Sequence, residues 1–279
     1  MTFQPAYKLS PWVAENFDKL NWSSLSANPK AITLLSDNQK MIDWKRLSSN
    51  PNAMEILLAN ISKIDLCEFS KNPNAVGYLT RHPELINWRS LSRNENAVEL
   101  ILANHEKVDT HQLCLNTHPD IIELLKKRRR RYNKCINWAN LCTNPSAINM
   151  IETNHHYINW SSLSANSAAI KIILSNPSYI SPIYLSRNPN AIPILMERRD
   201  LIDWRNLSGN PNAIELLKEN PENIDYVSLS ANPSIFELDY ERMTLNINDM
   251  YADILKEVLK PSRVLKERSY DYLEELFGE

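Results

Sequence analysis

The stretch Ile202-Asp203-Trp204-Arg205-Asn206-Leu207-Ser208-Gly209-Asn210-Pro211-Asn212-Ala213-Ile214 decides the fold, because the chain keeps repeating it. An earlier copy reads Ile42-Asp43-Trp44-Lys45-Arg46-Leu47-Ser48-Ser49-Asn50-Pro51-Asn52-Ala53-Met54. The opening aliphatic residue falls at Leu20, Ile42, Ile64, Ile86, Val108, Ile136, Ile158, Ile180, Ile202 and Ile224. Successive differences are 22, except 136 − 108 = 28, so ten units follow one another and the fifth carries six extra residues. A fixed period of this size marks a stacked array of small helical units.

Within the unit, Trp is third at Trp22, Trp44, Trp88, Trp138, Trp160 and Trp204, with Leu66, Thr110, Pro182 and Tyr226 in the other copies. Asn is ninth at Asn28, Asn50, Asn72, Asn94, Asn116, Asn144, Asn166, Asn188, Asn210 and Asn232. In the fifth copy His118-Pro119 competes with Asn116 for that place. The seventh residue is Ser, or Cys at Cys114 and Cys142.

The local rules predict two helical pieces per unit. Asp43 and its equivalents are good N-caps, and Trp44 and Leu47, three apart, share one face of a short α or 3-10 helix. Asn50-Pro51 restarts the chain: Asn caps, and Pro at the first helical position loses no needed donor. Ala53, Met54, Ile56 and Leu57 then give a helix of roughly nine residues, ending near Asn60 in a left-handed turn. Such a helix is not stable alone, so the units must stack. At about 8–10 Å between helices, ten units predict a rod or superhelix about 80–100 Å long. The Trp residues are expected as a buried stack and the Asn residues as a ladder of caps along one edge.

An array needs covered ends. Residues 1–19 supply Trp12, Val13 and Phe17 and read as a long helix lacking its short partner, hence an N-terminal cap. The repeat is assigned to residues 20–240, with the insertion of the fifth unit at about 117–135, and a C-terminal helical cap to 241–279. That cap is predicted as an amphipathic helix over 247–260 and a last helix over about 269–277. From Pro233 onward there are eleven acids and six bases, so this segment carries −5 and the rest of the chain +3, for a net −2. The fold class is therefore all-α: an α-solenoid of about ten units, each a short helix plus a longer one, with helical caps.

Composition narrows the function. Gly77, Gly209 and Gly278 are the only glycines, so no glycine-rich phosphate cradle can form. Cys67, Cys114, Cys135 and Cys142 form no pair motif, and no apolar run is long enough to span a bilayer. Residues 1–7 lack the features of an export signal, so reduced thiols in an intracellular protein are expected. No catalytic constellation stands out, since the Ser residues sit at repeat positions; no enzyme activity, cofactor or small-molecule substrate is expected. His111, Cys114, His118, Cys135, Cys142, His155 and His156 cluster in the fifth to seventh units. Because Cys114 and Cys142 replace a repeated Ser, no metal site is expected.

Two charged features remain. Lys126-Lys127-Arg128-Arg129-Arg130-Arg131 breaks the repeat at the end of the fifth long helix. A helix dipole accounts for one or two cations there, not six, which suggests nucleic-acid phosphates, an acidic protein or import machinery as partner. The exposed positions of the short helices hold Lys45, Arg46, Lys71, Arg89, Arg93, Arg187 and Arg205 against one acid, Glu68. The long helices hold Glu55, Glu99, Glu123 and Glu215 at one place. In-register stacking predicts a basic stripe, the candidate partner-binding face, and an acidic one.

The Leu-Ser-x-Asn-Pro-x-Ala-Ile units, joined by Ile-Asp/Asn-Trp, resemble a repeat family of giant DNA viruses of protists, the mimivirus relatives. The resemblance covers about residues 20–240, and Tyr251 to Pro261 resembles the ends of those proteins. It implies an architecture and a viral origin more than an activity. The alternation of short and longer helices also resembles the leucine-rich-variant solenoid, with a shorter unit. The basic insertion is not part of the family repeat. The expectation is a non-enzymatic scaffold binding a protein partner in the infected cell, in host cytoplasm or viral factory. An RNA- or DNA-associated factor and a virion structural component are the alternatives, and the nucleus or virion the other places.

Overall fold

The computed structural model describes residues 5–131 and 136–258, without the side chains of 128–131, 246, 248, 250, 253, 257 and 258. The described residues are mostly helical, with one two-stranded sheet of Tyr7–Leu9 and Phe236–Leu238. The chain forms two compact bodies: Lys8–Glu237, which holds the repeats, and Met1–Tyr7 with Leu238–Glu279.

The second unit shows how the repeated residues build the first body. The Asp43 carboxylate accepts the Arg46 backbone N–H at 3.1 Å and caps the first helix, Trp44–Ser48. The Ser48 hydroxyl donates to the Trp44 carbonyl at 2.7 Å and accepts the Asp65 N–H of the next unit at 3.0 Å. Asn50 accepts the Asn52 N–H at 3.1 Å and opens a 3-10 turn, Pro51–Ala53, that runs into the second helix, Met54–Leu58. A further 3-10 turn, Ile61–Lys63, leads to Ile64 and the next unit.

The unit thus has four short helical pieces where the spacing predicts two. Ala53, with φ −89° and ψ 6°, interrupts the expected nine-residue helix. Asn60 does not turn left-handed: its φ is −135°, and its amide donates to the Ile56 carbonyl at 3.0 Å. Among the described residues none has positive φ. A side-chain amide satisfying the last turn's carbonyl makes the left-handed turn unnecessary.

The core is made by three repeated positions rather than by Trp. Leu25, Leu47, Phe69, Leu91, Leu113, Leu141, Leu163, Leu185, Leu207 and Leu229 are all fully buried. So are Ala53, Ala75 and Ala191 at the start of the second helices, and Leu35, Leu57, Leu79 and Ile101 further along them. The six repeat tryptophans are only half-buried, which corrects the expected buried stack. Each Trp sits at the first position of its helix, and Trp44, Trp88, Trp138 and Trp160 are covered from one side by the residue preceding the next unit. Trp138 stacks on Tyr157 at 4.7 Å and Trp160 on Tyr179 at 4.8 Å between ring centroids. Lys63 lies 4.3 Å from the Trp44 ring centre and Lys107 5.0 Å from that of Trp88.

The repeated Asn residues do more than cap. Each is buried, and its amide reaches two carbonyls of the preceding unit. Asn50 donates to Ser26 at 3.0 Å and Asn28 at 2.9 Å, and Asn188 donates to Ser164 at 3.0 Å and Asn166 at 2.9 Å. The same bonds recur at every step to Asn232, which donates to Ser208 and Asn210. The ladder then returns to its start. Asn28, in the first unit, donates to the carbonyls of Ser230 and Asn232 in the tenth, both at 3.0 Å. The Asn21 N–H likewise reaches the Ser230 hydroxyl at 2.8 Å, as Asp65 reaches Ser48.

This closure replaces the expected open rod. The first unit is not an end, because its preceding neighbour is the tenth. Nor is 1–19 an end cap. Pro11–Ala14 and the turn Phe17–Lys19 correspond to the second helix and last turn of an ordinary unit, with Val13 buried as Leu57 is. Asn16 donates to the Trp12 carbonyl as Asn60 does to Ile56. Lys19 lies 5.0 Å from the ring centre of Tyr226, the residue standing at the Trp position of the tenth unit. The long helix lacking a short partner therefore has one, Tyr226–Ser230, at the far end of the repeats. The tenth unit is assembled from both ends: Ile224–Ile235 supplies twelve residues and Ser10–Lys19 ten, together 22. The Ser10 N–H and hydroxyl both donate to the Ile235 carbonyl, at 2.9 and 3.0 Å, where the two pieces meet. The count closes too: residues 10 to 235 are 226, which is 10 × 22 + 6.

In the fifth unit the structure decides between two candidates. Asn116 holds the ladder, donating to Ser92 at 3.1 Å and Asn94 at 2.9 Å. Pro119 starts the helix, so two of the extra residues separate cap from helix and four lengthen its exit. That helix, Pro119–Arg131, is continuous, with Ile121 and Leu125 buried.

In the second body the helix begins earlier than 247 and spans Tyr240–Val258. Asp239 starts it by accepting the Arg242 N–H at 3.1 Å, a cap the apolar spacing alone does not reveal. Tyr251, Ile254 and Leu255 are exposed on it. The expected last helix over 269–277 lies outside the described residues.

Candidate partner-binding face

The Asn-Ser ladder fixes the register of the units, so positions alike in sequence are alike in space. The first helices pack directly on one another from unit to unit, Trp22–Ala27 on Trp44–Ser48 and Trp138–Thr143 on Trp160–Ser164. Tyr226–Ser230 in turn packs on Trp22–Ala27. Their outward positions carry Lys45, Arg46, Arg89, Arg93, Arg187 and Arg205, all exposed.

The stripe is narrower than its charges alone suggest. Lys71 is bound to Glu68 at 2.6 Å, and Arg89 faces Asp109 at 3.7 Å. Lys45, Arg93, Arg187 and Arg205 have no carboxylate within ion-pair distance among the described residues. Burial pushes the Asp43 carboxyl up, but hydrogen bonds from Ser23 and from the Arg46 and Lys45 amides, with the Arg46 charge, hold it below the usual range. The acidic row is partly cancelled by its own helices, with Glu123 on Lys126 at 2.7 Å and Glu215 on Lys218 at 2.8 Å.

The insertion run begins on the helix Pro119–Arg131. Lys127 is exposed and Lys126 pairs with Glu123, while the side chains of Arg128, Arg129, Arg130 and Arg131 lie outside the described residues. Sequence reasoning missed a concave element. Arg187, Arg205, Asn206, Gly209, Ser228 and Ala231 line a cavity of about 570 Å³ across three consecutive units. The only available signal was Gly209 at a position where the other units carry a side chain.

The His and Cys residues are not drawn together: among the described residues no group of three or more His, Cys, Asp or Glu could hold a metal ion, and Cys135 lies outside them. Cys114 and Cys142 are buried in the Ser slot of the ladder, where Cys142 accepts the Asn159 N–H at 3.4 Å. Burial pushes the Cys114 thiol up to about 11 and raises that of Cys142. Both are therefore expected to resist a thiol reagent at pH 8 in the folded protein while exposed Cys67 reacts. Peptide mass mapping after brief maleimide treatment checks this; rapid labelling of Cys114 would show that the ladder opens there.

No helix of the described residues is long and apolar enough to cross a membrane. Comparison with family models, with curated proteins and with solved structures found no match for this chain.

Proposed function

We propose that the protein is a non-enzymatic helical-repeat scaffold, an α-solenoid of ten units closed into a ring, that binds an acidic protein partner on its first-helix face. The carrying observation is that Lys45, Arg93, Arg187 and Arg205 stand exposed, with no ion-pair partner among the described residues, on elements held in register by a buried ladder. A rigid array of uncompensated cations raises the rate and selectivity of encounter with an oppositely charged surface. The viral setting that the repeat resembles makes a host-cell or virion protein the natural partner.

Reversing Arg93, Arg187 and Arg205 to Glu is expected to abolish capture of partners from infected-cell extract without lowering the thermal midpoint. Unchanged capture would sink the reading.

A second reading draws on Tyr157 and Tyr179, exposed while one face of each stacks on a Trp. Exposed stacked aromatic rings also suit single-stranded nucleic acid. Gel shift with mixed RNA and DNA at low salt separates the two: no shift rules out this second reading, and a shift that fades steeply with salt favours it over the protein partner.

A further inference from the structure

The cavity under Arg187 and Arg205 differs from the rest of the basic face in three ways. It is concave, with a volume of about 570 Å³. Two arginines line it together with no ion-pair partner among the described residues, whereas Arg89 on the same face meets Asp109. Its other polar liners, Asn206 and Ser228, stand where the third unit has Glu68, the acid that neutralises Lys71. Asp203 and Asp225 beside it cap their helices: Asp203 accepts the Asn206 N–H at 2.9 Å and its side-chain amide at 2.8 Å, and Asp225 accepts the Ser228 N–H at 2.8 Å.

Two like charges lining one concavity repel each other unless an anion lies between them. Two guanidinium forks match the charge and the spread of oxygens of a phosphate dianion better than those of one carboxylate, which a single fork satisfies. Ser228 is half-buried at the wall and offers a hydroxyl. Gly209 leaves the floor open. A Cβ there would meet Ser228 and Asn206 only at 3.6–3.8 Å, so a larger side chain would grow into the cavity without disturbing the backbone.

We propose that Arg187, Arg205 and Ser228 form a phosphomonoester pocket that receives a phosphorylated side chain of the partner protein. This rests on the reading of the first-helix face as the partner face, and it makes binding there switchable by phosphorylation of the partner.

The test uses the full chain and a neutral capped heptapeptide with one central phosphoserine, followed by fluorescence polarisation. The peptide is expected to bind at least tenfold more tightly than its serine and glutamate forms. Arg187→Ala and Arg205→Ala should each weaken it about tenfold, as should Gly209→Leu, which fills the pocket and keeps both charges. Arg198→Ala, which removes a cation paired with Asp200 outside the cavity, should leave it unchanged. Inorganic phosphate should compete weakly at the same site. Equal binding of the phosphoserine and glutamate peptides overturns the proposal, as does phosphopeptide binding that Gly209→Leu leaves intact. Competition by inorganic phosphate with no binding of the phosphopeptide would mean a free-ion site and also overturns it. So would a single-stranded RNA oligomer bound at the pocket in place of the peptide. If the pocket fails while the triple Glu variant still loses its partners, the face remains the partner site and only the phosphate reading falls.

Discussion

Replacing Asn188 by Ala is expected to remove about 3–4 kcal/mol of stability, a large share of a typical total of about 5–15. The side chain is fully buried, donates to the Ser164 and Asn166 carbonyls and accepts the Asn190 N–H. Alanine leaves the buried Ser164 carbonyl and the part-buried Asn190 N–H without the partner they have now, and the Asn166 carbonyl with the Ala169 N–H alone, and an orphaned group costs more than a formed bond contributes. Asn190 is the control. It is exposed and makes one bond to the Ser167 carbonyl at 2.9 Å, so Asn190→Ala should cost under about 1 kcal/mol. Urea unfolding of the two variants measures the difference, and equal losses would show that the ladder does not hold the units.

Asn188→Asp adds a pH dependence. A carboxylate facing two carbonyl oxygens is disfavoured, so its folded pKa lies above the unfolded value near 4. Below about pH 4 both states are protonated and the penalty is absent; it grows as pH rises above that value. Asp should therefore be worse than Ala at pH 7 and better below pH 4, where it can donate one hydrogen bond.

Deleting residues 1–19 is the second large effect. It takes away the buried Val13, the Ser10 bonds to Ile235 and the ring contact of Phe17 with Trp22, and uncovers Leu229 and Ile235 of the tenth unit. Each uncovered side chain costs about 1.5–3 kcal/mol, so a loss of roughly 5 kcal/mol is expected. Scattering should show a broader particle. A chain of residues 20–235 followed directly by 10–19 places the ten missing residues after the twelve they complete, and should recover one cooperative transition. Unaltered unfolding of the deletion would mean that the tenth unit stands without its second half.

The candidate site was legible only in part. Register follows from the period, so the basic positions could be aligned from the sequence. Whether a cation is free depends on rotamers and on the neighbouring unit, and Lys71 and Arg89 turn out to face acids while Arg187 and Arg205 have none within ion-pair distance among the described residues. The tryptophans misled for a related reason. Three-residue spacing places Trp and Leu on one side of a helix but does not say that Leu points into the core and Trp along its margin.

The sequence by itself determined the unit, its ten copies, its caps and its break in the fifth copy, because each of these is a local matter of hydrogen-bonding side chains and helical spacing. It also presented residues 1–19 as a long helix lacking its short partner, which reads as an end cap. Only the tertiary structure decided what that partner was. Whether an array ends or closes depends on the bend between neighbouring units summed over ten of them, and on two carbonyls of the last unit meeting the amide of the first. No single repeat contains that sum, although the twelve residues at one end and the ten at the other add up to one unit.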